Sequence, residues 1–309
     1  MNLSGTRVLI TGGHGFLGAH VTAAVRARGG VALPVGSKDA DLTDRAEALR
    51  LIQDARPEVV LHCAAQGGGI GWMSDHPVES GRDNALINTH ILDAAWKGGA
   101  RAFVGASSAC AYPRICPVPF REETLWDGPP EPTNGPYAES KRLMMSLGKA
   151  YHQQHGFSAS FAVLANLYGP GDHLTPARAH VVAALLQRVV ADPEELVVWG
   201  SGTPTREFLF IEDAADGMLA MLDWGRPEPL NIGTGVEVSI AELAHAVAVA
   251  ADYTGPIRLD PTKPDGQPRK CLDVSRAREG LGWTAKTDLA TGLARTVAWY
   301  RGMRDEKAP

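Results

Sequence analysis

The amino-acid sequence predicts an α/β fold, a doubly wound parallel sheet followed by a smaller C-terminal α/β lobe. Three observations predict it. Strand and helix patterns alternate through the first half, a glycine-rich turn joins the first strand to the first helix, and short segments separated by turn residues follow residue 167. Alternating strands and helices build parallel sheets because each helix carries the chain back across the sheet. The length of 309 residues suits about two domains.

The first turn carries the most informative local pattern near the amino terminus. An apolar strand at Arg7–Thr11 is followed by Gly-Gly-His-Gly-Phe-Leu-Gly at 12–18 and then by a helical run over 19–28. The glycines at its first, fourth and seventh positions permit a tight turn, close approach of the backbone to a pyrophosphate, and close packing of helix on strand. The pyrophosphate would lie at the positive end of the helix. The turn therefore predicts dinucleotide binding.

The remaining elements follow from periodicity and turn residues. Strands are expected at 31–35, 59–63, 102–106 and 158–164, with helices at 45–55, 84–98 and 138–155. Six prolines mark 116–136 as a loop without regular structure. Later helices are expected at 178–191, 239–251 and 288–300, and later strands at 196–199 and 208–211. We predict a dinucleotide-binding domain at 1–166, to which the chain returns near 208–231, and a substrate-binding lobe at 167–309.

A serine, a tyrosine and a lysine form the candidate catalytic group. Tyr137 and Lys141 are four residues apart on a predicted helix and therefore share one face. The ammonium group of Lys141 is expected to lower the pKa of the Tyr137 phenol toward neutrality. Ser108, at the end of a predicted strand, would hold a substrate oxygen. This group suits the transfer of a hydride and a proton to or from an oxygen-bearing carbon.

Composition excludes several classes of protein. A formal net charge of −5 and the absence of a basic run argue against nucleic-acid binding. No stretch of about 18 apolar residues predicts a membrane span, and the first apolar run, at 8–10, is too short for a signal peptide. We expect a cytoplasmic protein. The four cysteines lack the Cys-x-x-Cys spacing, so neither a metal site nor a disulfide framework is predicted.

Longer segments resemble a known family. They read Ser-Ala-Cys-Ala-Tyr-Pro at 108–113, Glu-Pro-Thr-Asn-Gly-Pro-Tyr at 131–137, Asn-Leu-Tyr-Gly-Pro at 166–170, Trp-Gly-Ser-Gly-Thr-Pro-Thr-Arg-Glu-Phe at 199–208 and Lys-Pro-Asp-Gly-Gln-Pro-Arg-Lys at 263–270. Nearly the whole chain resembles the extended short-chain dehydrogenase/reductases, the NAD-dependent epimerase/dehydratase family, which have a Rossmann-type sheet. The closest resemblance is to members that epimerise C3 and C5 and reduce C4 of a GDP-4-keto-6-deoxyhexose with NADPH, giving GDP-L-fucose.

The resemblance implies roles for individual residues. Ser108, Tyr137 and Lys141 match the reductase positions, and Cys110 and His180 match a proton-transfer pair for epimerisation. The positions that match the substrate side are Arg188, Trp199, Arg206, Asp265 and Lys270. The positions expected at the cofactor are Gly12, Gly13, His14, Gly15, Phe16, Leu17, Gly18, Ser37, Lys38, Asp41, Leu42, Ala64, Lys141, Leu164, Asn166, Leu167 and His180.

The choice of cofactor depends on the residues after the second strand. Lys38, preceded by Ser37, suits the 2′-phosphate of NADP, whereas the adjacent Asp39 suits the 2′-hydroxyl of NAD. We predict NADP(H). The chain departs from the family here, where family members tend to have an arginine, and again at 66–72, where Gln-Gly-Gly-Gly-Ile-Gly-Trp replaces a segment that usually begins with lysine.

Three other functions stay open on the sequence. A nucleotide-sugar epimerase could keep NAD bound and oxidise C4 transiently, a mechanism that does not need Cys110 or His180. A C4 reductase or epimerase could act on another nucleotide sugar, such as a GDP-deoxyheptose. A dinucleotide-sensing module without catalysis would be expected to lose Tyr137 or Lys141. Apolar residues on the helices at 84–98 and 138–155 further predict a homodimer with a four-helix interface, as in family members.

Overall fold

The computed structural model describes residues 2–68, 70–173, 179–191, 193–263 and 265–305. The strands are β1 (Arg7–Thr11), β2 (Val31–Val35), β3 (Val59–His62), β4 (Ala102–Ser108), β5 (Ala159–Leu164), β6 (Asn166–Tyr168), β7 (Leu196–Trp199), β8 (Thr205–Arg206), β9 (Phe208–Phe210), β10 (Leu230–Ile232), β11 (Val238–Ser239), β12 (Ile257–Asp260) and β13 (Arg269–Lys270). The helices are α1 (Phe16–Ala27), α2 (Arg45–Ala55), α3 (Ile70–Asp75), α4 (Asn84–Lys97), α5 (Gly135–His155), α6 (Val181–Val190), α7 (Ile211–Trp224), α8 (Ile240–Ala250), α9 (Ser275–Leu281) and α10 (Leu289–Asp305).

Six parallel strands form the main sheet in the order β2-β1-β3-β4-β5-β10. The central strands β3 and β5 are buried along their whole length. Continuous apolar runs of this kind are typical of parallel sheets because helices cover both faces. The predicted doubly wound parallel sheet is therefore confirmed. The strand order reverses between β1 and β3, which is where such sheets bind their ligands.

Local signals explain where several helices begin. The Asp44 side chain accepts the backbone N–H groups of Ala46 and Glu47, so α2 begins at the predicted position. Helix α5 begins at Gly135, three residues earlier than expected, because Pro136 fits the first turn of a helix, where its missing N–H is not needed. The early start places Tyr137 in the first turn of α5.

The proline-rich segment 116–136 contains more regular structure than expected. Short 3₁₀ helices occur at Glu122–Trp126 and Pro132–Asn134. Phe120 is fully buried, and its backbone N–H donates to the carbonyl oxygen of Cys271 at 2.7 Å. Prolines prevent a long helix or a central strand, but they fit the short turns seen here. The segment is tied to the C-terminal part of the chain.

Helix α7 was missed by the sequence analysis. The strand expected at 208–211 ends at Phe210, and α7 begins at the next residue and packs on α1. Ile211 is fully buried, so the apolar run continues from the strand into the helix and hides the change in periodicity. Helix α7 leads to β10, which pairs with β5 in the main sheet.

The later strands form three small sheets. Strand β7 pairs with β12, β8 pairs with β11 and β13, and β6 pairs with β9. A second apolar core lies here, built largely by α6, α8, β7 and α10. The division of the chain at residue 166 stays a prediction.

The two helices expected at a dimer interface use most of their apolar side chains within the subunit. Ile91 and Leu92 on α4 and Met144 on α5 are fully buried in the core. Leu86 and Leu143 remain exposed on the outer faces of α4 and α5. The exposed apolar surface of these two helices is thus much smaller than the sequence predicts, because the helices pack against each other and on the sheet. Across the described residues, no helix is both long and apolar enough to cross a bilayer.

Candidate active site

The glycine-rich turn after β1 brings three backbone segments into close contact. Gly12 has a backbone φ of +65°, and a Cβ atom there would lie 2.8 Å from the backbone of Ala64, just after β3. A Cβ atom at Gly18 would lie 2.0 Å from the carbonyl oxygen of Gly12. Neither position can hold a larger residue without moving the backbone. The turn therefore lies in the crevice between β1 and β3 where the strand order reverses.

The turn also suits an anionic ligand. Helix α1 begins at Phe16 after Gly15, which supplies no side-chain cap for the first amide groups of the helix. These amide groups and the helix dipole favour a phosphate at this end. A Cβ atom at Gly15 would meet only the Gly12 carbonyl oxygen, at 3.2 Å, so the outer side of the turn is open. A dinucleotide pyrophosphate fits these features.

The acidic residue after β2 is occupied by neighbouring groups. The Asp39 carboxylate accepts the N–H of Gly36 at 2.7 Å and lies 3.6 Å from Nε2 of His14. Lys38 has no side-chain partner within the described part of the chain and is exposed, as is Ser37 beside it. The Asp39 carboxylate is thus already engaged, and the Lys38 ammonium is the charge at this position that is available to a cofactor phosphate.

Other predicted cofactor residues lie around the same edge of the sheet. The Asp41 carboxylate accepts hydrogen bonds from Thr43, which lower the pKa of Asp41, and Leu42 is buried. Leu164 ends β5 opposite Ser108 of β4. Leu17 and Leu167 are half-buried. These positions are compatible with a cofactor site, and their roles stay predictions.

Tyr137 and Lys141 lie on the same face of α5, as their spacing predicts. Nζ of Lys141 is 5.6 Å from the centroid of the Tyr137 ring and donates a hydrogen bond to the carbonyl oxygen of Ala106 at 2.9 Å. Ala106 belongs to β4, so this bond fixes α5 against the strand that ends at Ser108. Lys141 is 2% exposed, which places an ammonium group inside the protein.

The prediction that Lys141 lowers the pKa of Tyr137 is wrong. Burial raises the pKa of Tyr137, and the charge of Cys110 adds to that increase. Burial also lowers the pKa of Lys141 to about 8. Desolvation disfavours the charged form of each group, and here it outweighs the attraction that the sequence argument relied on. Tyr137 is therefore a neutral phenol at neutral pH, whereas Lys141 remains largely protonated there.

Ser108 lies where β4 ends and a 3₁₀ turn at Ala109–Ala111 begins. Its Oγ accepts the backbone N–H of Cys110 at 3.2 Å. With that oxygen engaged as an acceptor, the hydroxyl hydrogen of Ser108 is available to donate to a carbonyl oxygen. The same hydrogen bond places Cys110 next to the reductase group.

Cys110 is surrounded by basic side chains from the C-terminal lobe. Nζ of Lys270, on β13, lies 3.8 Å from Sγ of Cys110. Arg206, on the neighbouring strand β8, is half-buried, and burial lowers its pKa against the opposing charges of Cys110 and Asp265. The small sheet formed by β8 and β13 thus brings two predicted substrate residues to the predicted proton-transfer thiol.

His180 contacts Asp172 rather than Cys110. Its Nδ1 lies 3.4 Å from Oδ1 of Asp172. The hydrogen bond and charge of this carboxylate raise the pKa of His180, and burial opposes the change. His180 lies at the start of α6, and the helix expected at 178–191 is confirmed as Val181–Val190, its first predicted residue lying outside the described residues. The sequence analysis assigned no role to Asp172.

A tryptophan with two cations lies farther out on the same side. Trp199 is 59% exposed, and its ring lies 5.4 Å from the guanidinium carbon of Arg188 and 5.5 Å from Nζ of Lys263. Asp265 accepts the N–H of Ser201 at 2.6 Å, next to Trp199. Lys263 was not assigned a role, although it begins one of the segments that carry the resemblance. An exposed aromatic flanked by cations suits a planar base and its phosphates.

Glu207 is a buried carboxylate that the sequence analysis also missed. It accepts backbone N–H groups of Thr234, Gly235 and Leu272, and burial raises its pKa. Its own N–H donates to the carbonyl oxygen of Lys270, and its carbonyl oxygen accepts the side-chain amide of Asn166 at 2.7 Å. Asn166, predicted at the cofactor, thus has a structural contact. Glu207 holds the strands that carry Arg206 and Lys270.

Comparison with known proteins agrees with this geometry. The family model described as "NAD dependent epimerase/dehydratase family" matches residues 8–233. The chain belongs to this family. Within the epimerase/dehydratases, the chain is 37% identical over 303 residues to "Probable GDP-L-fucose synthase 1" of Oryza sativa subsp. japonica, covering 96% of this chain and 92% of that protein. It is 34% identical over 318 residues to "GDP-L-fucose synthase" of Escherichia coli strain K12, covering 98% and 99%.

A solved structure extends the likeness to the fold. The crystal structure of a GDP-L-fucose synthetase from Naegleria fowleri bound to NADP aligns with a TM-score of 0.88 and 29% identity, covering 99% of this chain and 97% of that chain. The Rossmann-type fold that the resemblance implied is therefore present over essentially the full length.

Proposed function

We propose that this protein is a GDP-L-fucose synthase that uses NADPH to convert GDP-4-keto-6-deoxy-D-mannose into GDP-L-fucose. The observation that carries the proposal is Cys110, which follows Ser108 in one turn and lies 3.8 Å from Lys270. A simple reductase or an epimerase that oxidises C4 transiently needs no thiol at this point. The full-length similarity to proteins named GDP-L-fucose synthase supports the same substrate.

The cofactor would bind at the glycine-rich turn with its pyrophosphate at the start of α1. Ser37 and Lys38 would contact the 2′-phosphate, and Lys141 would lie on the nicotinamide side. When bound, NADPH supplies the hydride for C4. The similar structure from Naegleria fowleri is described as bound to NADP, which supports NADP over NAD.

Epimerisation depends on the acidity that the C4 ketone gives to the protons on C3 and C5. Cys110 and His180 would remove and return these protons, because thiols and imidazoles are among the side-chain groups best suited to proton transfer near neutral pH. The hydroxyls of Ser108 and Tyr137 would donate to the C4 oxygen and stabilise the enolate. The Cys110 N–H bond to Ser108 Oγ leaves the Ser108 hydrogen free for that purpose.

Reduction uses the same oxygen contacts. Once C3 and C5 are inverted, Tyr137 would deliver a proton to the C4 oxygen as C4 becomes a carbinol. Lys141, held by Ala106 in the protein interior, would keep a positive charge beside the phenol. One carbonyl group thus supports both stages of the reaction.

The remaining basic groups would hold the nucleotide. Arg188 and Lys263 flank Trp199, and Arg206 lies between Cys110 and Asp265. Arginine forks match phosphate oxygens, and exposed tryptophan suits a stacked guanine. We further propose a cytoplasmic homodimer that pairs α4 and α5 of two subunits, since Leu86 and Leu143 are exposed there.

A deuterium-exchange experiment tests the proposed function. In heavy water without NADPH, the wild-type protein should exchange deuterium into C3 and C5 of GDP-4-keto-6-deoxymannose, as followed by NMR. Cys110→Ser should lose most of that exchange, roughly 10²-fold or more, because a serine hydroxyl is far too weak an acid to replace the thiol. His180→Gln should retain some exchange and give incompletely inverted products after NADPH is added.

The matched control is Cys116→Ser, which replaces a thiol that contacts Thr124 in the proline-rich segment. It should exchange like wild type. Wild-type exchange in Cys110→Ser would reduce the proposal to a 4-keto-sugar reductase without epimerase activity. If the protein fails to oxidise NADPH with this sugar but turns over a GDP-deoxyheptose, the proposed substrate is wrong.

A further inference from the structure

We propose that Asp172 is a positioning residue that orients His180 and stabilises its imidazolium form for proton transfer to the sugar carbon. The inference rests on the proposed function, in which His180 exchanges a carbon-bound proton. Asp172 ends the segment Gly-Pro-Gly-Asp that follows β6, and the sequence analysis assigned it no role.

The carboxylate of Asp172 is buried with little compensation. Asp172 is 6% exposed; its Oδ1 accepts the N–H of His173 at 2.7 Å and lies 3.4 Å from Nδ1 of His180. The second oxygen, Oδ2, is buried and has no hydrogen-bond partner within the described residues. A buried carboxylate is costly unless a positive group faces it. The imidazolium form of His180 supplies that group.

The contact also selects which nitrogen of the ring can reach a substrate. Because Nδ1 faces Asp172, the proton on that nitrogen is held by the carboxylate. Nε2 is then the nitrogen left for the sugar, in the way that carboxylates orient histidines in metal sites and catalytic triads. Without the carboxylate, the ring of His180 could present either nitrogen.

The position of His180 makes the carboxylate necessary. His180 is the residue that precedes the first turn of α6, where the helix dipole disfavours a cation. Asp172 is the charged group that raises the pKa of His180 within the described part of the chain. Among the described residues, His173 and His20 are further titratable side chains beside this turn, and Nε2 of His20 lies 2.8 Å from the Pro170 carbonyl oxygen. Since the His180 side chain is 49% exposed, water screens part of the attraction.

The first test is an NMR titration of His180 in the free protein. The ring Cε1–H signal of His180, assigned by its loss in His180→Gln, should titrate above the ordinary midpoint of about 6.5 for histidine. In Asp172→Asn, which keeps the side-chain shape and removes the charge, the midpoint should move to lower pH. An unchanged midpoint would overturn the inference. Should Asp172→Asn fail to fold, a wild-type midpoint at or below 6.5 would overturn it equally.

The second test measures exchange and product. Asp172→Asn should slow deuterium exchange into the sugar by roughly 10- to 100-fold, the usual cost of losing a group that orients a functional histidine. The loss should grow toward higher pH, and the fraction of incompletely inverted product should increase. A uniform loss at every pH, with the product distribution of wild type, would indicate a merely structural role.

The control is Asp213→Asn on α7. Asp213 is a buried carboxylate whose Oδ2 accepts the N–H groups of Lys286 and Thr287, so it loses the same charge in a comparable setting. It should leave the His180 midpoint and the product distribution unchanged. The titration needs no sugar nucleotide, so a wrong substrate assignment would abolish the exchange signal in wild type and leave the titration result intact.

Discussion

The proposed reductase group and the proposed substrate-binding surface are built in different ways. Ser108, Tyr137 and Lys141 lie on β4 and α5, two long elements of the main sheet and its covering helices, and Lys141 is almost completely buried. Arg206 and Lys270 lie on β8 and β13, which are two residues long each. The first group is fixed by regular structure, whereas the second depends on a few side-chain contacts.

Substitutions in the two regions should therefore have different consequences. A long strand and a 21-residue helix hold catalytic groups in place even when one side chain changes, so substitutions there should alter rate with little effect on binding. The short strands are held together by Glu207, whose partners lie 27 and 65 residues farther along the chain. Substitutions in the second region should act on substrate affinity. Four predictions test this contrast.

The largest effect is expected for Tyr137→Phe. NADPH oxidation with GDP-4-keto-6-deoxymannose should fall by ~10²–10⁴-fold, because the proton donor to the C4 oxygen is lost. Cofactor affinity and melting temperature should stay near wild type. Tyr151→Phe is the matched control, since this phenol on the same helix donates to Asp93 at 2.8 Å, and it should retain activity. Normal turnover in Tyr137→Phe would remove the reductase assignment.

Lys141→Met should separate stability from catalysis. Burial lowers the pKa of Lys141 from its ordinary value of 10.5 to about 8, so its ammonium form destabilises the folded protein. Below pH 8 this cost is fully present, and it disappears as the pH rises from about 8 toward 10.5, where only the unfolded chain keeps the proton. Lys141→Met should therefore be more stable than wild type by about 2 kcal/mol at pH 7, after allowance for the lost hydrogen bond to Ala106.

Thermal unfolding of the ligand-free proteins between pH 6.5 and 10 measures this difference. The gap in melting temperature between Lys141→Met and wild type should narrow as the pH rises, and reduction should be lost in the variant. A gap that is constant with pH, or lower stability of the variant at pH 7, would contradict a buried charged lysine.

A change on the substrate surface should be smaller and should affect affinity. Arg206→Met removes a half-buried guanidinium beside Cys110, and the KM for the GDP-sugar should rise roughly 10- to 100-fold, as expected for losing a charged hydrogen bond. The kcat should change less than the KM. The control is Arg269→Met, one residue before Lys270 on β13. It removes a guanidinium that pairs with Glu237 at the surface and should leave the KM unchanged. Equal effects of the two variants would argue that Arg206 acts only on folding.

The smallest effect is expected at the edge of the cofactor site. Lys38→Asp should raise the KM for NADPH severalfold more than the KM for NADH, because an exposed charge contributes only modestly to phosphate binding. Steady-state kinetics with both cofactors measures the ratio. Asp39→Asn provides a useful comparison, since that carboxylate already accepts the Gly36 N–H. Equal effects of Lys38→Asp on NADPH and NADH would exclude a contact with the 2′-phosphate.

The sequence predicted the main sheet and the proximity of Tyr137 and Lys141 because both follow from local spacing. Alternating periodicity located β1 to β5, and the four-residue interval placed Lys141 beside Tyr137. Helix α7 was missed because apolar residues run without interruption from β9 into it. The sign of the Tyr137 pKa shift was wrong because burial, which depends on the whole fold, outweighs the neighbouring charge.

Asp172 and Glu207 were missed for a related reason. Each is defined by partners that only the folded chain brings to it, such as the N–H groups of Thr234 and Leu272 around Glu207. An acidic residue in a turn or beside a strand is ordinary in sequence, and the burial that makes it unusual is a property of the structure. Local patterns therefore identify catalytic groups more readily than the residues that position them.

The return of the chain to the main sheet limits how the protein can be divided. Strand β10 covers the outer side of β5, with Leu230 opposite Ala162 and Ile232 opposite Leu164. A fragment ending at residue 166 would leave β5 with an uncovered apolar edge, which would invite pairing with other chains and aggregation. Such a fragment would also lack α7, which covers α1. The part of the protein built around the main sheet thus depends for its solubility on residues 211–232, which the chain reaches only after β6, β7, β8 and β9.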